Sequence, residues 1–351
     1  MIRSRIAGVG HYVPSRVVTN DDLSKLMETS DEWIQERTGI KERRYAEKHK
    51  ETTTTMGASA AKIAIDRAGI QKEDIDFIIF ATLSPDYYFP GCGVLVQRAL
   101  GITGTEVGCL DIRQQCTGFV YAISIADQFI RTGTYKNILV IGSEMHSMGL
   151  DYSDQGRNVT VIFGDGAGAA VLQPTTKPGQ GILTTRLHAD GTHAEELAFI
   201  SPGSHGGYYG NVEEYGFPEV ENGEIFVYQG LIDKKGYYPN MNGPLVFKTA
   251  VVKFPEVIQE AMDDIGVETK DIDMLIPHQA NLRISQFVQK KLCLPDEKVW
   301  NNIQKYGNTT AASIPIALCE AWEAGKINEG DLVCLAAFGS GFTWGSALIR
   351  W

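Results

Sequence analysis

The chain repeats itself, and that constrains its fold more than any other feature. "AGIQKEDIDFII" (68–79) aligns with "IGVETKDIDMLI" (265–276) at an offset of 197. Gly69/Gly266, Asp74/Asp271, Ile75/Ile272 and Asp76/Asp273 are identical, and both stretches have the pattern of helix end, loop and buried strand. Later in each half, "IFGDGAGAAVL" (162–172) resembles "AFGSGFTWGSAL" (337–348), sharing Phe-Gly-x-Gly ahead of small and apolar residues. Two matches in the same order point to an internal duplication of about 175–200 residues. Such a duplication would place a pocket between the halves.

Strand-like and helix-like patterns alternate, which predicts α/β architecture. "DFIIFAT" (76–82) and "NILVIGSE" (137–144) have the character of buried strands, and "TMGASAAKIAIDRAG" (55–69) and "FVYAISIADQFIRTG" (119–133) that of helices. Gly133 is the expected C-cap of the second helix. The Pro, Thr and Gly of "QPTTKPGQG" (173–181) mark the boundary, giving an N-terminal half over 1–175 and a C-terminal half over 176–351. Within the latter, 203–243 is rich in tyrosine, glycine and glutamate and has no regular period. Its aromatic content predicts an ordered insertion or lid rather than a disordered linker.

A chain of 351 residues, 43% of them hydrophobic, can bury a sizeable core. The net charge of −11 argues against nucleic acid as a partner. No apolar run is long enough to cross a membrane, and the first residues lack the apolar core of a signal peptide. A cytoplasmic protein is the simplest expectation. The cysteines are Cys92, Cys109, Cys116, Cys293, Cys319 and Cys334; none forms a CxxC pair, and histidines are not clustered at metal-ligand spacing, so no metal site is expected. "GDGAG" (164–168) lacks both GxGxxG spacing and a P-loop lysine, and is better explained by close packing of small residues.

Cys116 stands where an apolar stretch ends and the helix running to Gly133 begins. Unpaired N–H groups and the helix dipole there would stabilise a thiolate; the alternative is a thiol that merely fills the core. His278, in "MLIPHQANLRI", lies between a buried strand and a helix, and Asn308, in "KYGNTTAASIP", at the head of another helix. A hydrogen-bonded interior histidine and an N-cap asparagine explain each alone. Cys, His and Asn nevertheless recur together in nucleophilic enzymes, and all three lie at junctions where α/β folds expose functional groups.

The chain resembles the β-ketoacyl-acyl carrier protein synthase III family of condensing enzymes. The resemblance is carried by "TSDEWIQERTGIKERR" (29–44), "CTGF" (116–119), "RNVTVIFGDGAGAAVL" (157–172), "HQANLRI" (278–284), "YGNTTAASIP" (306–315) and "AFGSGFTWGSALIRW" (337–351). It implies a thiolase-like fold, with duplicated halves in a five-layered αβαβα arrangement, no permanently bound cofactor, and a homodimer. It also implies ping-pong chemistry. Cys116 would take an acyl group from acyl-CoA; malonyl-acyl carrier protein would then lose CO₂ and attack the acyl-enzyme. His278 and Asn308 would hold the malonyl thioester oxygen, and the N–H groups of Cys116 and Ser340 would form a second oxyanion hole. Phe338 would face the departing carboxylate.

For binding, the resemblance assigns Trp33 and Arg37 to the adenine of CoA, Arg157 to its phosphates, and Thr29 and Asn281 to further contacts. Phe89 would gate the acyl pocket of the dimer partner. Lys248, Arg283, Lys290 and Lys291 would dock the acidic carrier protein. Neighbouring families differ by residue: Phe338 stands where thiolases carry a second cysteine, Leu83 where hydroxymethylglutaryl-CoA synthases carry a glutamate, and Asn308 where elongating synthases carry histidine. Departures from the family pattern are Gln114-Gln115 before the cysteine, "FPGCG" (89–93), and the length of 203–243. They leave room for an enzyme that condenses two acyl thioesters or transfers an acyl group. A non-catalytic, acyl-binding partner subunit is the alternative from another class.

Overall fold

A computed structural model describes residues 2–104, 106–204, 232–233 and 235–351. In chain order the strands are β1 (Arg3–Tyr12), β2 (Val17–Thr19), β3 (Glu42–Arg44), β4 (Phe77–Ala81), β5 (Gly108–Ile112), β6 (Ile138–Glu144), β7 (Gly166–Thr175), β8 (Gly181–Ala189), β9 (Leu197–Ala198), β10 (Asn240–Met241), β11 (Met274–Pro277), β12 (Leu332–Gly339) and β13 (Thr343–Arg350). One sheet has the order β1-β7-β6-β4-β5 and a second the order β8-β13-β12-β11. In the first, β4 runs parallel to β5 and β6; in the second, β11 runs parallel to β12; the other pairs are antiparallel. The place equivalent to β5 is reduced to Val299, bridged in parallel to Leu275. The two orders superpose, so the repeat in the sequence is a repeat of sheet topology.

The identical residues do identical work. Gly69 and Gly266 follow the helices Thr53–Arg67 and Gly243–Ile265 with φ of +68° and +69°, a conformation that glycine adopts without steric penalty. Asp74 and Asp271 each accept the N–H three residues back, that of Gln71 or Glu268, at 2.8 Å. Ile75 and Ile272 are buried. Asp76 accepts the Lys136 and Asn137 N–H groups ahead of β6, and Asp273 that of Leu332 at the start of β12. The second match is looser: Phe338 and Gly339 end β12, whereas Phe163 and Gly164 lie in the connection between β6 and β7.

Strand alternation explains the layers. Ile79, Val140 and Leu172 of the first sheet and Ile276, Leu335 and Ala347 of the second point inward, onto the central helices Gly118–Arg131 and Ser313–Glu323. Phe119, Val120, Ile123 and Ile130 are buried because both sheets cover this layer. Ile78, Phe80, Leu139 and Val171 point outward against the helices Thr53–Arg67 and Cys92–Leu100. Leu275, Cys334 and Leu348 do the same against Gly243–Ile265 and Leu282–Lys291. The result is the expected αβαβα stack. Two small residues allow one outer contact: a Cβ on Gly8 or Gly10 of β1 would lie 2.3 Å from the Ala64 or Ala60 carbonyl oxygen.

The helices expected over 55–69 and 119–133 run over Thr53–Arg67 and Gly118–Arg131, and Gly133 lies just beyond the cap residue Thr132 with φ +74°. Most of the insertion expected at 203–243 lies outside the described residues. At its end, β10 pairs with β9 and Asn242 caps the next helix, so this part is regular rather than aperiodic. Among the described residues, no helix is long and apolar enough to cross a membrane.

Candidate active site

Three turns meet where the sheets end. Cys116 sits in the 3-10 turn Gln115–Thr117, directly ahead of the central helix rather than inside it. Its counterpart in the other half is the 3-10 turn Thr310–Ala312, directly ahead of Ser313–Glu323, and the two turns pack together. Gln115 and Thr310 take matching left-handed conformations, φ +43° and +48°. The end of β12 closes the site: a Cβ on Gly339 would stand 2.6 Å from Cys116 Cβ and 3.1 Å from its Sγ. The Thr117 and Thr343 hydroxyls, 2.9 Å apart, fix the Cys116 turn to the start of β13.

His278 and Asn308 are both tied to the Thr310–Ala312 turn. Asn308 Oδ1 accepts the Thr310 N–H at 2.8 Å, which leaves the Nδ2 amino group as the donor end. His278, just past β11, has Nδ1 2.6 Å from Ser313 Oγ, and Ser313 Oγ also accepts the Gln279 N–H at 3.4 Å. With the Ser313 hydroxyl donating its own hydrogen to Nδ1, the imidazole carries its hydrogen on Nε2. That Nε2 is buried with no hydrogen-bond partner among the described residues. Burial pushes His278 down to about 3, so it is neutral at pH 7. The arrangement therefore presents two uncharged N–H donors able to stabilise a developing oxyanion without protonating it.

The thiol contradicts one expectation. Position ahead of a helix was expected to favour the thiolate, but burial pushes Cys116 up to about 12 and the Glu144 carboxylate acts in the same direction. The N–H groups of Ser340 and Cys116 itself bond the sulfur and pull the other way without overcoming burial. Cys116 rests as a neutral thiol beside two N–H donors. Phe338 is buried, with its ring 5.0 Å from that of Phe342. The Ser340 hydroxyl donates to the Leu197 carbonyl. Asn308 is likewise not the N-cap of a long helix; it stabilises a single 3-10 turn.

A second cluster gathers Thr29, Trp33, Arg37, Arg157 and Asn281. Arg37 lies 4.4 Å and Arg157 5.0 Å from the Trp33 ring centroid. Arg157 donates to the Glu28 carbonyl, next to Thr29, whose buried hydroxyl has no partner among the described residues. Asn281 Nδ2 donates to the Arg37 carbonyl while its Oδ1 caps the helix Leu282–Lys291. Because Arg37 rests on Trp33, a flat ring enters between them only if the half-exposed Arg37 side chain swings out. Lys248, Arg283, Lys290 and Lys291 are exposed on neighbouring helices. Arg283 lies over Phe247, beside Lys248, and shares a helix face with Lys290, two turns on. Phe89 is 81% exposed and follows exposed Tyr87 and Tyr88, so it lies away from the buried thiol of its own chain.

Several site residues were invisible in the sequence. Glu144 ends β6, fully buried, and accepts from Ser84 Oγ at 2.5 Å, Thr82 Oγ1 at 3.1 Å and the N–H groups of Leu83 and Ser84 at 3.2 Å; burial pushes it up to about 7. Acids at strand C-termini are the usable signal. Ser313, Thr310 and His146 carried none. Away from the site, donor atoms of His11, Cys319 and Glu323 lie within 4.8 Å of one another, a grouping the sequence spacing did not reveal. Arg67 donates to both Cys319 Sγ and Glu323.

Five layers from duplicated sheets, with a cysteine, a neutral histidine and an asparagine on apposed turns, define a thiolase-fold condensing enzyme. Family profiles agree: 3-oxoacyl-[acyl-carrier-protein] synthase III matches residues 110–191, and its C-terminal counterpart matches 262–351. The chain is 44% identical to a curated β-ketoacyl-[acyl-carrier-protein] synthase III of Ehrlichia canis over 100% of both chains. It is 43% identical to the 3-oxoacyl-[acyl-carrier-protein] synthase III of Aquifex aeolicus, whose crystal structure matches with a TM-score of 0.84 over 99% of this chain and 100% of that one. The priming β-ketosynthase of the R1128 polyketide pathway matches at 30% identity and a TM-score of 0.83, over 99% of this chain and 96% of that one. The chain belongs to the 3-oxoacyl-[acyl-carrier-protein] synthase III family, and is a condensing acyltransferase.

Proposed function

We propose that the chain joins an acyl group from acyl-CoA to malonyl-acyl carrier protein by decarboxylative condensation, the priming step of fatty acid synthesis. The observation that carries this reading is the shared turn: Asn308 and His278 bond its two ends, and the turn of Cys116 packs against it. In the first half-reaction, the Cys116 sulfur bonds to the acyl carbon and CoA leaves as its thiol, taking up the proton. In the second, the C–C bond to the malonyl carboxylate breaks, CO₂ departs past Phe338, and the electron pair forms an enolate held by His278 Nε2 and Asn308 Nδ2. Its carbon attacks the acyl-enzyme; the tetrahedral oxygen is held by the N–H groups of Cys116 and Ser340, and the cysteine thiolate is expelled. Donors of this type contribute on the order of 3 kcal/mol each.

Thr29, Trp33, Arg37, Arg157 and Asn281 grip CoA at the mouth of the site, and Lys248, Arg283, Lys290 and Lys291 receive the acidic carrier protein. Residues 1–175 and 176–351 act as the two halves, each supplying one sheet. The active unit is a homodimer. Among the described residues β5 is a sheet edge whose Cys109, Leu110 and Ile112 are only partly covered, and Tyr87, Tyr88 and Phe89 are exposed beyond it. Both features favour coverage by a second copy, with Phe89 at the partner's acyl pocket. The free thiols fit a reducing cytoplasm. The test is a reaction of purified protein with an acyl-CoA panel and malonyl-acyl carrier protein. CO₂ and 3-oxoacyl-acyl carrier protein should form in equal amounts; acyl transfer without CO₂ would refute the reading.

A further inference from the structure

The Asn308 turn is held from an unexpected side. Thr310 is β-branched yet takes φ +48°, a conformation that its side chain disfavours. Such backbone persists only where surrounding contacts over-determine it. One contact is the Asn308 Oδ1 bond to the Thr310 N–H; the other is His146, whose Nε2 lies 2.8 Å from Thr310 Oγ1. His146 also reaches Asn308 from its other flank. Its ring lies 4.7 Å from that of Phe163, and Phe163 is bridged in parallel to Asn308. The Asn308 N–H donates to the Ile162 carbonyl, and its carbonyl accepts the Gly164 N–H. One buried imidazole therefore touches residues that flank Asn308 on both sides.

The rest of this shelf follows strand periodicity. Gly142 and Glu144, spaced by two in β6, contact the next residue of the turn. A Cβ on Gly142 would lie 2.2 Å from the Ala311 carbonyl oxygen, and Glu144 Oε1 lies 3.5 Å from the Ala311 N. Burial keeps His146 neutral, so it serves as a hydrogen-bonding group rather than a charge.

We propose that His146 is a positioning residue for the condensation half-reaction, holding Thr310 in its left-handed conformation and so aiming Asn308. It rests on the condensing function assigned above. His146 bonds Thr310 of the Asn308 turn rather than the turn of Cys116, so its loss should weigh on discharge of the acyl-enzyme more than on its formation.

The test separates the half-reactions. His146→Phe keeps a ring against Phe163 and loses the bond to Thr310. Acylation of Cys116 by acyl-CoA should stay within about twofold, while discharge of the acyl-enzyme by malonyl-acyl carrier protein falls about tenfold. On a Thr310→Gly background, where the left-handed conformation carries no steric penalty, the same substitution should change discharge by less than about threefold. His146→Gln, which keeps a nitrogen for Thr310, should stay within about threefold of the unaltered protein, which covers the case in which the phenylalanine variant fails to fold. Equal losses in both half-reactions, an undiminished effect of His146→Phe on the glycine background, or no loss at all would overturn the proposal. Failure of the unaltered protein to acylate would instead refute the condensing function.

Discussion

At Cys116 and His278, burial decides the resting protonation state, and both rest uncharged. Such neutral groups suit the proposed reaction, whose charge appears only in transit. This has a measurable consequence for stability. His146 and His278 are each pushed down to about 3, so the native chain binds fewer protons than the unfolded chain below pH 6.5, and stability is lost as pH falls through that window. Glu144, pushed up to about 7, acts oppositely: it holds its proton in the native state, and stability falls as pH rises from about 4.5 to about 7. Two histidines outweigh one glutamate. His278→Gln removes one of them, so the difference in unfolding free energy between pH 7 and pH 5 should shrink by up to about 2 kcal/mol, read by denaturant titration at both values. An unchanged difference would mean that His278 is not held neutral. The candidate residues Cys116, His278 and Asn308 were legible in the sequence because residues of that chemistry stood at strand–helix junctions. Their supports were not. Ser313 lies 35 positions from His278, and Ser84 lies 60 from Glu144, so only the fold brings them together.

Among the elements, turns rather than helices carry the candidate residues. The paired left-handed residues Gln115 and Thr310 sit at equivalent points of the two halves, and each starts a 3-10 turn ahead of a central helix. Gln115 is also one of the residues that departs from the family pattern, and its amide donates to the Arg113 carbonyl. β12 reaches Cys116 because Gly339 has no side chain. Gly339→Ala would drive a methyl into Cys116 Cβ and its backbone N, at 2.6 and 3.3 Å. Overpacking of this kind costs about 1–3 kcal/mol, so acylation of Cys116 should slow about tenfold or more while the chain remains folded. An unaltered acylation rate would show that the turn has room to move. The strands β4, β6 and β11 were legible as apolar runs with turn residues on either side. The short pairs β2–β3 and β9–β10 were not, because two or three residues carry no period.

At the scale of the whole molecule, the duplication was the most legible feature. Four identical residues reported a shared capping geometry and a shared tie between strands that are neighbours in the sheet, and five layers follow from placing both sheets on one helical layer. What duplication does not reveal is how the halves diverged. One half carries Cys116 and the other His278 and Asn308, although Cys116 and the Thr310–Ala312 turn occupy equivalent places. The central claim is that Cys116 carries the acyl group between two half-reactions. Intact-mass measurement of the protein after exposure to acyl-CoA tests it most directly. The mass should rise by one acyl group, remain unchanged in Cys116→Ala, and return to its starting value on addition of malonyl-acyl carrier protein. No adduct with any acyl-CoA, or an adduct that survives the substitution, would contradict the account.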